Sequence, residues 1–527
     1  MRRSRATILT LSLCITAAAT IAAQTRARRP LEASDIDAMA MLLKLEDART
    51  YDESALGRIL AVAHAEVRRR AVQSVGRIAD KRGAGLLDLA RKDKDVEVVA
   101  TAAWSAGQLR DPGAAPWLLE MLTTSGTPLP VQREAAIALG KIQAPESRAA
   151  LARYLSETPL AGAPAAVAGE ALLSLGRFPT EGDLTPILRW SSSTDVELRW
   201  RAAWALFRSR NPAVLPALLR LAEDRSADVR FWAVRGLAPY SNVDPAASAA
   251  RLRAAVRDED RRVRTEALRA LSQHDDDESF ALVLSMLTSP DAWLSVSAAE
   301  GLARHTARAD AIVPRLVASA APDRPLALRL TARQSLTRLG PAGKTALDGL
   351  TTGGLPSQPP AVRGPRAVPQ LRSDAEYRQI VERWIVPDYN GVRRPRAQLV
   401  TARGTIELEL FPGDAPLGLE YFVRVIQSGE IVGTEFSRVV PNFVAQQRGI
   451  RNDVVLRDEV SRRGLTRGNL SWASAGLDTG RPGYTLGVTP QPHNEGNFTA
   501  LGRVLRGMDV VERLQLGDTI TAARMMK

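Results

Sequence analysis

The stretch that decides the fold of the C-terminal part is Gly433–Gly449, GTEFSRVVPNFVAQQRG. Its first residues alternate between apolar and polar side chains, which predicts a β-strand with two different faces. One cation, Arg438, lies among apolar neighbours, and a second polar group, Gln446, follows it. An arginine on an apolar face is costly unless something there needs a charged hydrogen-bond donor. Two interpretations are open at this point: an edge-strand arginine that reaches water, or a donor that faces a binding cleft.

Motifs on both sides of this stretch favour the second interpretation. Upstream, Val400–Phe411 alternates around a Gly-Thr turn, and Leu417–Ser428 has the periodicity of a helix. Downstream, three further segments follow in order, Gly468–Gly476, Pro490–His493 and Leu501–Val511.

In this order and spacing, the motifs resemble the cyclophilin-type peptidyl-prolyl isomerases over roughly residues 396–522. The resemblance implies an antiparallel β-barrel with two flanking helices, and catalysis of cis-trans exchange at X–Pro bonds. The barrier to that exchange is about 18–20 kcal/mol, because rotation breaks amide resonance. A catalyst holds the proline ring in an apolar pocket and directs a donor at the imide nitrogen. Such a reaction needs no nucleophile, metal or cofactor. We therefore predict no metal site and no cofactor.

The resemblance assigns roles to three residues that keep the family's types. Arg438 corresponds to the catalytic arginine, Phe443 to the pocket phenylalanine and Gln446 to the substrate-positioning glutamine. A guanidinium suits the catalytic role because it stays charged and presents several donors. The other predicted substrate-binding residues are Val444, Trp472, Ala473, Ser474, Thr485, His493, Asn494 and Phe498.

Several positions depart from the family pattern. Ser437 replaces the histidine before the arginine, and Gln447–Arg448 replaces a Gly-Gly pair. Gly483 stands at the position of a second glutamine. Thr485 replaces the phenylalanine of the pocket floor and Asn494 a pocket leucine, so we expect proline binding to be weaker by about 1–3 kcal/mol.

Two aromatic residues are candidates to restore the lost apolar surface. Trp472 replaces a methionine beside the pocket, and Phe498 stands where family members carry histidine or tyrosine. We expect one or both of them to fill the space that Thr485 and Asn494 leave.

Residues 51–340 carry a different pattern, which recurs nine times. Each unit has an apolar anchor, an alanine four positions later and a further small or apolar residue four positions after that, as in Val131, Ala135 and Leu139. This ladder is one apolar face of a helix, and a second apolar stretch follows within each unit. The units predict an α-solenoid of paired helices and resemble short HEAT-type repeats of the phycocyanobilin-lyase-like kind. The nine anchors are Val67, Val98, Val131, Val167, Leu198, Val229, Val263, Leu294 and Leu328.

Residues next to the ladder predict where its helices begin and end. Asp95 and Asp195 precede anchors, which suits a helix N-cap or first turn. Gly76, Gly107 and Gly140 follow the last apolar position, which suits a helix stop. We assign no chemistry to the solenoid; its fold class favours protein binding on a concave surface.

The N-terminus has the composition of an export signal. Arg2, Arg3 and Arg5 precede the apolar run Ile8–Ile21, which ends in small residues. The run is too short to span a bilayer comfortably. We therefore predict a cleaved signal peptide, no membrane segment after cleavage, and a periplasmic or secreted protein; a retained anchor is the alternative.

Composition excludes other classes of function. The only cysteine, Cys14, lies inside the predicted signal, so the mature chain has no disulfide, thiol nucleophile or thiolate metal site. The formal net charge is +13, but arginine is scattered among acidic residues and no nucleic-acid motif is present, so we predict no nucleic-acid partner.

The predicted protein is multidomain, with an all-α solenoid followed by an antiparallel β-barrel. The predicted function is a peptidyl-prolyl isomerase that acts on exported proteins, with the solenoid as a scaffold for client proteins or other protein partners. Two alternatives remain open: a catalytically weak or inactive barrel that only binds proline-containing segments, and a scaffold whose barrel is vestigial. The predicted segments are a signal peptide at 1–23, a lead-in at 24–50, the solenoid at 51–340, a Pro/Gly-rich linker with a short helix at 341–395 and the cyclophilin-like domain at 396–527.

Overall fold

The structure is a computed structural model that describes residues 29–162, 164–178, 182–209, 211–350, 371–450, 455–480 and 482–526. The predicted signal peptide, with Cys14, and residues 351–370 of the predicted linker lie outside these ranges. Within them, no helix combines the length and the apolar character that crossing a membrane requires.

The N-terminal half consists of helices arranged in pairs. Helix α1 (Ala33–Ala48) comes first, and in the described ranges nine pairs follow it before α20 (Pro341–Asp348). The second helix of each pair packs against the second helices of the neighbouring pairs, which builds a continuous layer. The first helices are α2 (Glu53–Leu60), α4 (Ala84–Ala90), α6 (Ala115–Thr123), α8 (Pro145–Glu157), α10 (Thr185–Trp190), α12 (Leu215–Leu221), α14 (Pro245–Ala255), α16 (Asp277–Ser285) and α18 (Ala309–Ser319). The second helices are α3 (Ala65–Ile78), α5 (Val96–Leu109), α7 (Leu129–Ile142), α9 (Pro164–Leu175), α11 (Val196–Arg208), α13 (Ala227–Leu237), α15 (Arg261–Leu271), α17 (Ala292–Leu302) and α19 (Leu326–Arg338).

The repeated sequence ladder lies on these second helices. All nine anchors, and the alanines four positions after them, are buried between neighbouring helices. Asp95 and Asp195 accept hydrogen bonds from first-turn amides of α5 and α11, as predicted. The α-solenoid is thus confirmed.

The glycines after the ladder do not end the helices, and that expectation was wrong. Helix α5 runs past Gly107 to Leu109, and the residue that caps it, Arg110, has a left-handed φ of 49°. A Cβ atom on Gly107 would lie 2.9 Å from the Cα of Ala138 in the next second helix. The glycine therefore lets two helices approach closely, a constraint that comes from the neighbouring repeat. Gly76 and Gly140 lie inside their helices in the same way, before the left-handed caps Ala79 and Gln143.

The C-terminal part is one eight-stranded antiparallel sheet with the strand order β3-β4-β6-β5-β7-β2-β1-β8. The outer strands of this order meet, because Phe436 donates its amide to the carbonyl of Asp518 (2.8 Å) and Ile520 donates to that of Thr434 (3.0 Å). These bonds close the predicted barrel. The strands are β1 (Arg396–Thr401), β2 (Gly404–Leu410), β3 (Phe436–Val440), β4 (Val444–Gln447), β5 (Asn469–Trp472), β6 (Tyr484–Gly487), β7 (Ala500–Arg506) and β8 (Ile520–Met526).

Helices cover the barrel and tie it to the solenoid. A segment made of α21 (Asp374–Ile380), a π-helical turn (Val381–Ile385) and α22 (Val386–Tyr389) comes before the barrel. It packs on both parts, since the Tyr377 hydroxyl donates to Asp47 of α1 (2.7 Å) and the Trp384 indole donates to Glu420 (2.5 Å). Glu420 belongs to the first of two helices that flank the barrel, which are α23 (Pro416–Gln427) against β8 and α24 (Met508–Arg513) against β2.

The layer of second helices faces the barrel. Arg77 of α3 donates to the carbonyl of Val460 (2.8 Å), Arg462 pairs with Glu134 of α7 (2.8 Å), and Asn442 donates to a carbonyl of α15 (2.8 Å). Helices packed side by side lie about 8–10 Å apart, so the row from α3 to α15 covers roughly 50–60 Å. A domain of about 130 residues has a radius of gyration of about 14 Å. The row therefore curves around the barrel.

Candidate functional site

A cleft of about 300 Å³ opens on the barrel surface, beside the β3–β4 hairpin. It is lined by barrel residues, and no solenoid residue within the described ranges lines it. Nine of the eleven predicted site residues line this cleft, namely Arg438, Phe443, Val444, Gln446, Ala473, Ser474, Thr485, Asn494 and Phe498.

A β-bulge in the hairpin aims Arg438 at the cleft. Phe436 pairs with Gln447, whereas Arg438 pairs with Gln446, so Ser437 is the extra residue on β3. The bulge interrupts the alternation of side chains. As a result Phe436 is 0% exposed inside the barrel, and Arg438 lies on the outer face although it is only two residues away.

The Arg438 guanidinium is held between a polar and an aromatic neighbour. Its Nη1 donates a long hydrogen bond of 3.4 Å to Oε1 of Gln446. Its central carbon lies 5.5 Å from the centroid of the Phe443 ring, within the range of a cation–π contact. Partial burial lowers the pKa of Arg438, but a guanidinium remains charged at neutral pH. The cleft thus contains a charged donor.

The remaining wall of the cleft is mainly apolar. Phe443, Val444 and Leu465 contribute to it, and Phe498 packs against a small buried cluster that includes Leu465. Thr485, at the position of the family's phenylalanine, lines the cleft and donates its hydroxyl to a backbone carbonyl of β5 (3.4 Å). Phe498 therefore supplies aromatic surface that Thr485 does not.

Comparison with known proteins identifies the family of the barrel. Residues 396–527 match the family described as "Cyclophilin type peptidyl-prolyl cis-trans isomerase/CLD". A peptidyl-prolyl cis-trans isomerase of Synechococcus elongatus is 32% identical over 139 residues, which cover 25% of this chain and 96% of the relative. A peptidyl-prolyl cis-trans isomerase of Helicobacter pylori is 32% identical over 134 residues, which cover 24% of this chain and 82% of the relative. The chain belongs to the cyclophilin-type peptidyl-prolyl cis-trans isomerases.

Two further matches complete the comparison. Peptidyl-prolyl cis-trans isomerase B of Bacillus subtilis is 31% identical over 128 residues, which cover 23% of this chain and 90% of the relative. In the N-terminal half, four overlapping segments match HEAT repeats: 53–127, 83–163, 160–238 and 220–303. The protein is thus a cyclophilin barrel joined to a HEAT-repeat solenoid.

The side chain of Trp472 does not line the cyclophilin cleft, so it does not fill the space left by Thr485 and Asn494 as expected. Its side chain is 1% exposed and lies edge-on to Tyr421 and Phe422 of α23, with ring centroids 6.0 Å apart in each case. Its neighbours Ser471 and Ala473 line the cleft. Successive residues of a strand face opposite sides, so Trp472 has to point into the barrel.

His493 is an exposed residue beside the cleft wall and does not line the cleft. Its ring stacks on the Phe443 ring with centroids 6.3 Å apart. Burial among neighbouring groups, together with the cations Arg235, Arg208 and Arg177 of the solenoid, lowers the pKa of His493 to about 4. The imidazole is therefore neutral at neutral pH and stacks on Phe443.

Three residues that line the cleft escaped the sequence analysis: Leu465, Ser471 and Gln491. Gln491 positions the wall, since its side chain donates to the carbonyl of Phe443 (3.3 Å) and accepts from Asn494 (2.9 Å). It stands in the Pro-Gln-Pro-His motif, which was a signal, but Leu465 stands in an arginine-rich stretch that gives none.

The described part of the chain has no group of three or more His, Cys, Asp or Glu side chains placed to hold a metal ion. The arrangement that it does offer is a charged donor facing an apolar wall. That arrangement can bind a proline ring and donate a hydrogen bond to it.

Proposed function

We propose that this protein catalyses cis-trans exchange at X–Pro bonds of exported polypeptides. The observation that carries the proposal is the position of Arg438, whose guanidinium faces a cleft lined by Phe443 and Phe498. The kept residues Arg438, Phe443 and Gln446 support catalysis over the alternative of a barrel that only binds, because all three line one cleft.

The chemistry follows from the loss of amide resonance during rotation. The proline ring packs against the apolar wall, and the substrate backbone lies along Ala473 and Ser474. As the C–N bond twists, the imide nitrogen regains a lone pair and becomes a hydrogen-bond acceptor. Arg438 donates to that nitrogen, and Gln446 holds the guanidinium in place. The donor interacts more strongly with the twisted state than with the planar amide, which lowers the barrier.

Export and client binding are the finer parts of the proposal. The charged, apolar and small-residue order of Met1–Ala23 supports export to the periplasm or beyond the cell. HEAT-type solenoids commonly bind proteins, which supports a client-binding role. Since the layer of second helices already contacts the barrel, we propose that clients use the solenoid surface next to the cleft.

The test is an isomerisation assay on the full chain, by protease coupling or exchange NMR with a proline tetrapeptide. We expect Arg438→Ala to lower kcat/KM by about 100-fold, the usual effect of removing a donor to the transition state. Arg448→Ala is the matched control, because Arg448 is an exposed arginine just beyond the same hairpin and outside the cleft. Peptide binding without acceleration would favour the binding-only alternative, and an Arg438→Ala variant as active as the wild type would refute the catalytic role.

A further inference from the structure

The solenoid touches the loops that build one wall of the cleft. Arg177 donates to the carbonyl of Pro492 (2.5 Å), and Asn442 donates to Glu266 (3.0 Å). Pro492 and Asn442 directly precede His493 and Phe443, whose rings stack on each other. The aromatic wall of the cleft therefore lies next to the second helices.

A second cavity of about 270 Å³ lies on the solenoid side of this wall. It is lined by residues of neighbouring repeats, among them Phe207, Arg235, Glu266 and Arg304. Because Asn442 donates to Glu266, the cavity borders the same turn that carries Phe443. A polypeptide that leaves the cleft over Phe443 therefore runs toward the solenoid surface on which this cavity lies.

Two arginines near this cavity lack carboxylate partners among the described residues. Arg235 lies over the rings of Phe207 (5.3 Å) and Trp232 (5.5 Å), and within the described residues it makes no ion pair. Arg208, next to Phe207, is exposed and likewise forms no ion pair with any described residue. The two glutamates of the cavity, Glu266 and Glu300, both lie near Arg269, at 3.7 and 3.9 Å.

The electrostatics of the cleft wall agree with this excess of positive charge. Arg235, Arg208 and Arg177 all contribute to the lowered pKa of His493, after the larger effect of burial. His493 is therefore a neutral group in a positive potential, and an anionic side chain bound nearby would raise its pKa.

We propose that Arg208 and Arg235 extend the substrate site, so that the protein prefers X–Pro segments with an acidic residue on the flank that leaves the cleft over Phe443 and His493. This inference rests on the proposed isomerase function. The other flank of the substrate pairs with Ala473 and Ser474, so the preference applies to one side of the proline only. A carboxylate that pairs with a guanidinium makes a charge-assisted hydrogen bond, which is stronger than a neutral one.

The test compares proline peptides that carry Glu or Gln at two to four residues before or after the proline. When the substituted residue lies on the flank that leaves the cleft over Phe443, we expect kcat/KM to be about fivefold higher for the Glu peptide than for the Gln peptide. This ratio corresponds to about 1 kcal/mol, since a factor of ten is 1.4 kcal/mol. On the other flank we expect equal values. The Glu-to-Gln ratio is the kcat/KM of the Glu peptide divided by that of the Gln peptide. In the double variant Arg208→Gln/Arg235→Gln this ratio falls to about one. In Arg208→Lys/Arg235→Lys, which keeps both positive charges, the ratio is retained. The control Arg153→Gln/Arg315→Gln removes two exposed arginines from the layer of first helices and keeps the wild-type ratio. If Arg235→Gln lowers the melting temperature, Arg208→Gln alone carries the test, with an expected twofold loss of the ratio.

A second measurement does not depend on turnover. The pKa of His493, followed by NMR in the full chain, rises on binding of the Glu peptide and stays unchanged with the Gln peptide. The inference is overturned if the Glu-to-Gln ratio is one on both flanks of the proline and the His493 pKa does not change. It is also overturned if the preference for the Glu peptide survives in Arg208→Gln/Arg235→Gln. If the Gln peptide is not isomerised at all, the proposed function fails instead, and the His493 titration still decides whether the acidic flank binds.

Discussion

Phe498 provides the aromatic surface that Thr485 does not. Its ring lines the cleft and packs against the cluster around Leu465. We expect Phe498→Ala to weaken the binding of a proline peptide by about fivefold, because a partly buried phenylalanine contributes about 1 kcal/mol. The dissociation constant, measured by NMR titration, checks this.

The matched change restores a ring at the family's position. In the Phe498→Ala background, Thr485→Phe should recover most of the lost affinity, because its ring fills the same cleft from β6. An affinity that does not change in Phe498→Ala would show that the proline ring does not contact Phe498.

The motifs of the sequence were sufficient to place Arg438, Phe443 and Gln446 in one cleft. They were not sufficient for the direction of every side chain. The outward position of Arg438 depends on the bulge at Ser437, and a bulge is defined by how two strands pair. Trp472 was misplaced because its side depends on the parity of β5, which only the neighbouring strands fix. Local pattern thus predicts which residue types meet, and strand register decides which of them face the cleft.

In the second helices, too, the sequence pattern predicts some features, and others depend on packing against neighbouring helices. Their ladder predicted the buried face correctly, since it depends on helix periodicity alone. The role of the glycines depends on the adjacent repeat, and no property of a single helix shows how close its neighbour lies.

This role gives a paired test on two glycines. Gly107→Ala places a Cβ 2.9 Å from a backbone atom of α7, so we expect it to lower the free energy of unfolding by about 1–3 kcal/mol. Gly85 lies in α4, is exposed and has open space around its Cβ position. Gly85→Ala should therefore raise the free energy of unfolding by about 0.5–1 kcal/mol, through helix propensity. Denaturant unfolding of the two variants checks the opposite signs, and equal effects would contradict the close-packing role.

The N-terminus of α23 carries a pH-dependent contact. Glu459 accepts hydrogen bonds from the amides of Leu417 (3.1 Å) and Gly418 (2.7 Å). Burial raises the pKa of Glu459 from 4.5 to about 7, although Arg77 and these amides act in the opposite direction. Because the pKa is higher in the folded state, the folded protein binds more protons between these pH values than the unfolded chain does. The free energy of unfolding should therefore fall as the pH rises through this window.

The size of the change in the free energy of unfolding follows from the raised pKa of Glu459. Between pH 5.5 and 8 we expect Glu459 to account for a loss of about 2 kcal/mol, at 1.36 kcal/mol per pKa unit. Asp458 and Glu495, whose pKa values burial raises to about 6 and about 7, act in the same direction. Glu459→Gln should remove its own share of the slope and leave theirs. Denaturant titrations of the wild type and the variant at the two pH values measure the difference, and identical slopes would show that Glu459 does not titrate in this range.

The whole molecule uses its solenoid in a way that neither part predicts by itself. The second helices form the surface that fold class assigns to partners, and in the described structure this surface contacts the protein's own barrel from α3 to α15. No sequence motif indicates this docking, because many of its contacts are made by single arginines among many. Arg77 stands in the last turn of its helix, where a cation is favourable in any helix. The docking places solenoid residues next to the cleft. Among the described residues, those that line the cleft itself all belong to the barrel.

A substitution of Arg77 tests the contact between the solenoid and the barrel, which we call the junction. Its side chain is 1% exposed, pairs with Glu46 (2.8 Å) and donates to the carbonyls of Val460 and Asp414. Arg77→Ala leaves Glu46 buried without its cation and the carbonyls without a donor, so we expect a loss of about 3–5 kcal/mol. Arg338→Ala is the matched control, because Arg338 ends a second helix in the same way but is exposed, and it should change stability by less than about 0.5 kcal/mol.

The form of unfolding separates a loss of docking from a general loss of stability. If Arg77 couples the two parts, calorimetry of the wild type shows one transition, and that of Arg77→Ala shows two, one for the solenoid and one for the barrel. Isomerisation of a neutral peptide should persist in Arg77→Ala up to the barrel transition, because barrel residues alone line the cleft among those that the structure describes. The preference for an acidic flank should weaken with undocking, since Arg208 and Arg235 then move away from His493. A single transition at the wild-type temperature would show that the junction holds without Arg77, and a lost preference with an intact junction would show that Arg77 acts by another route.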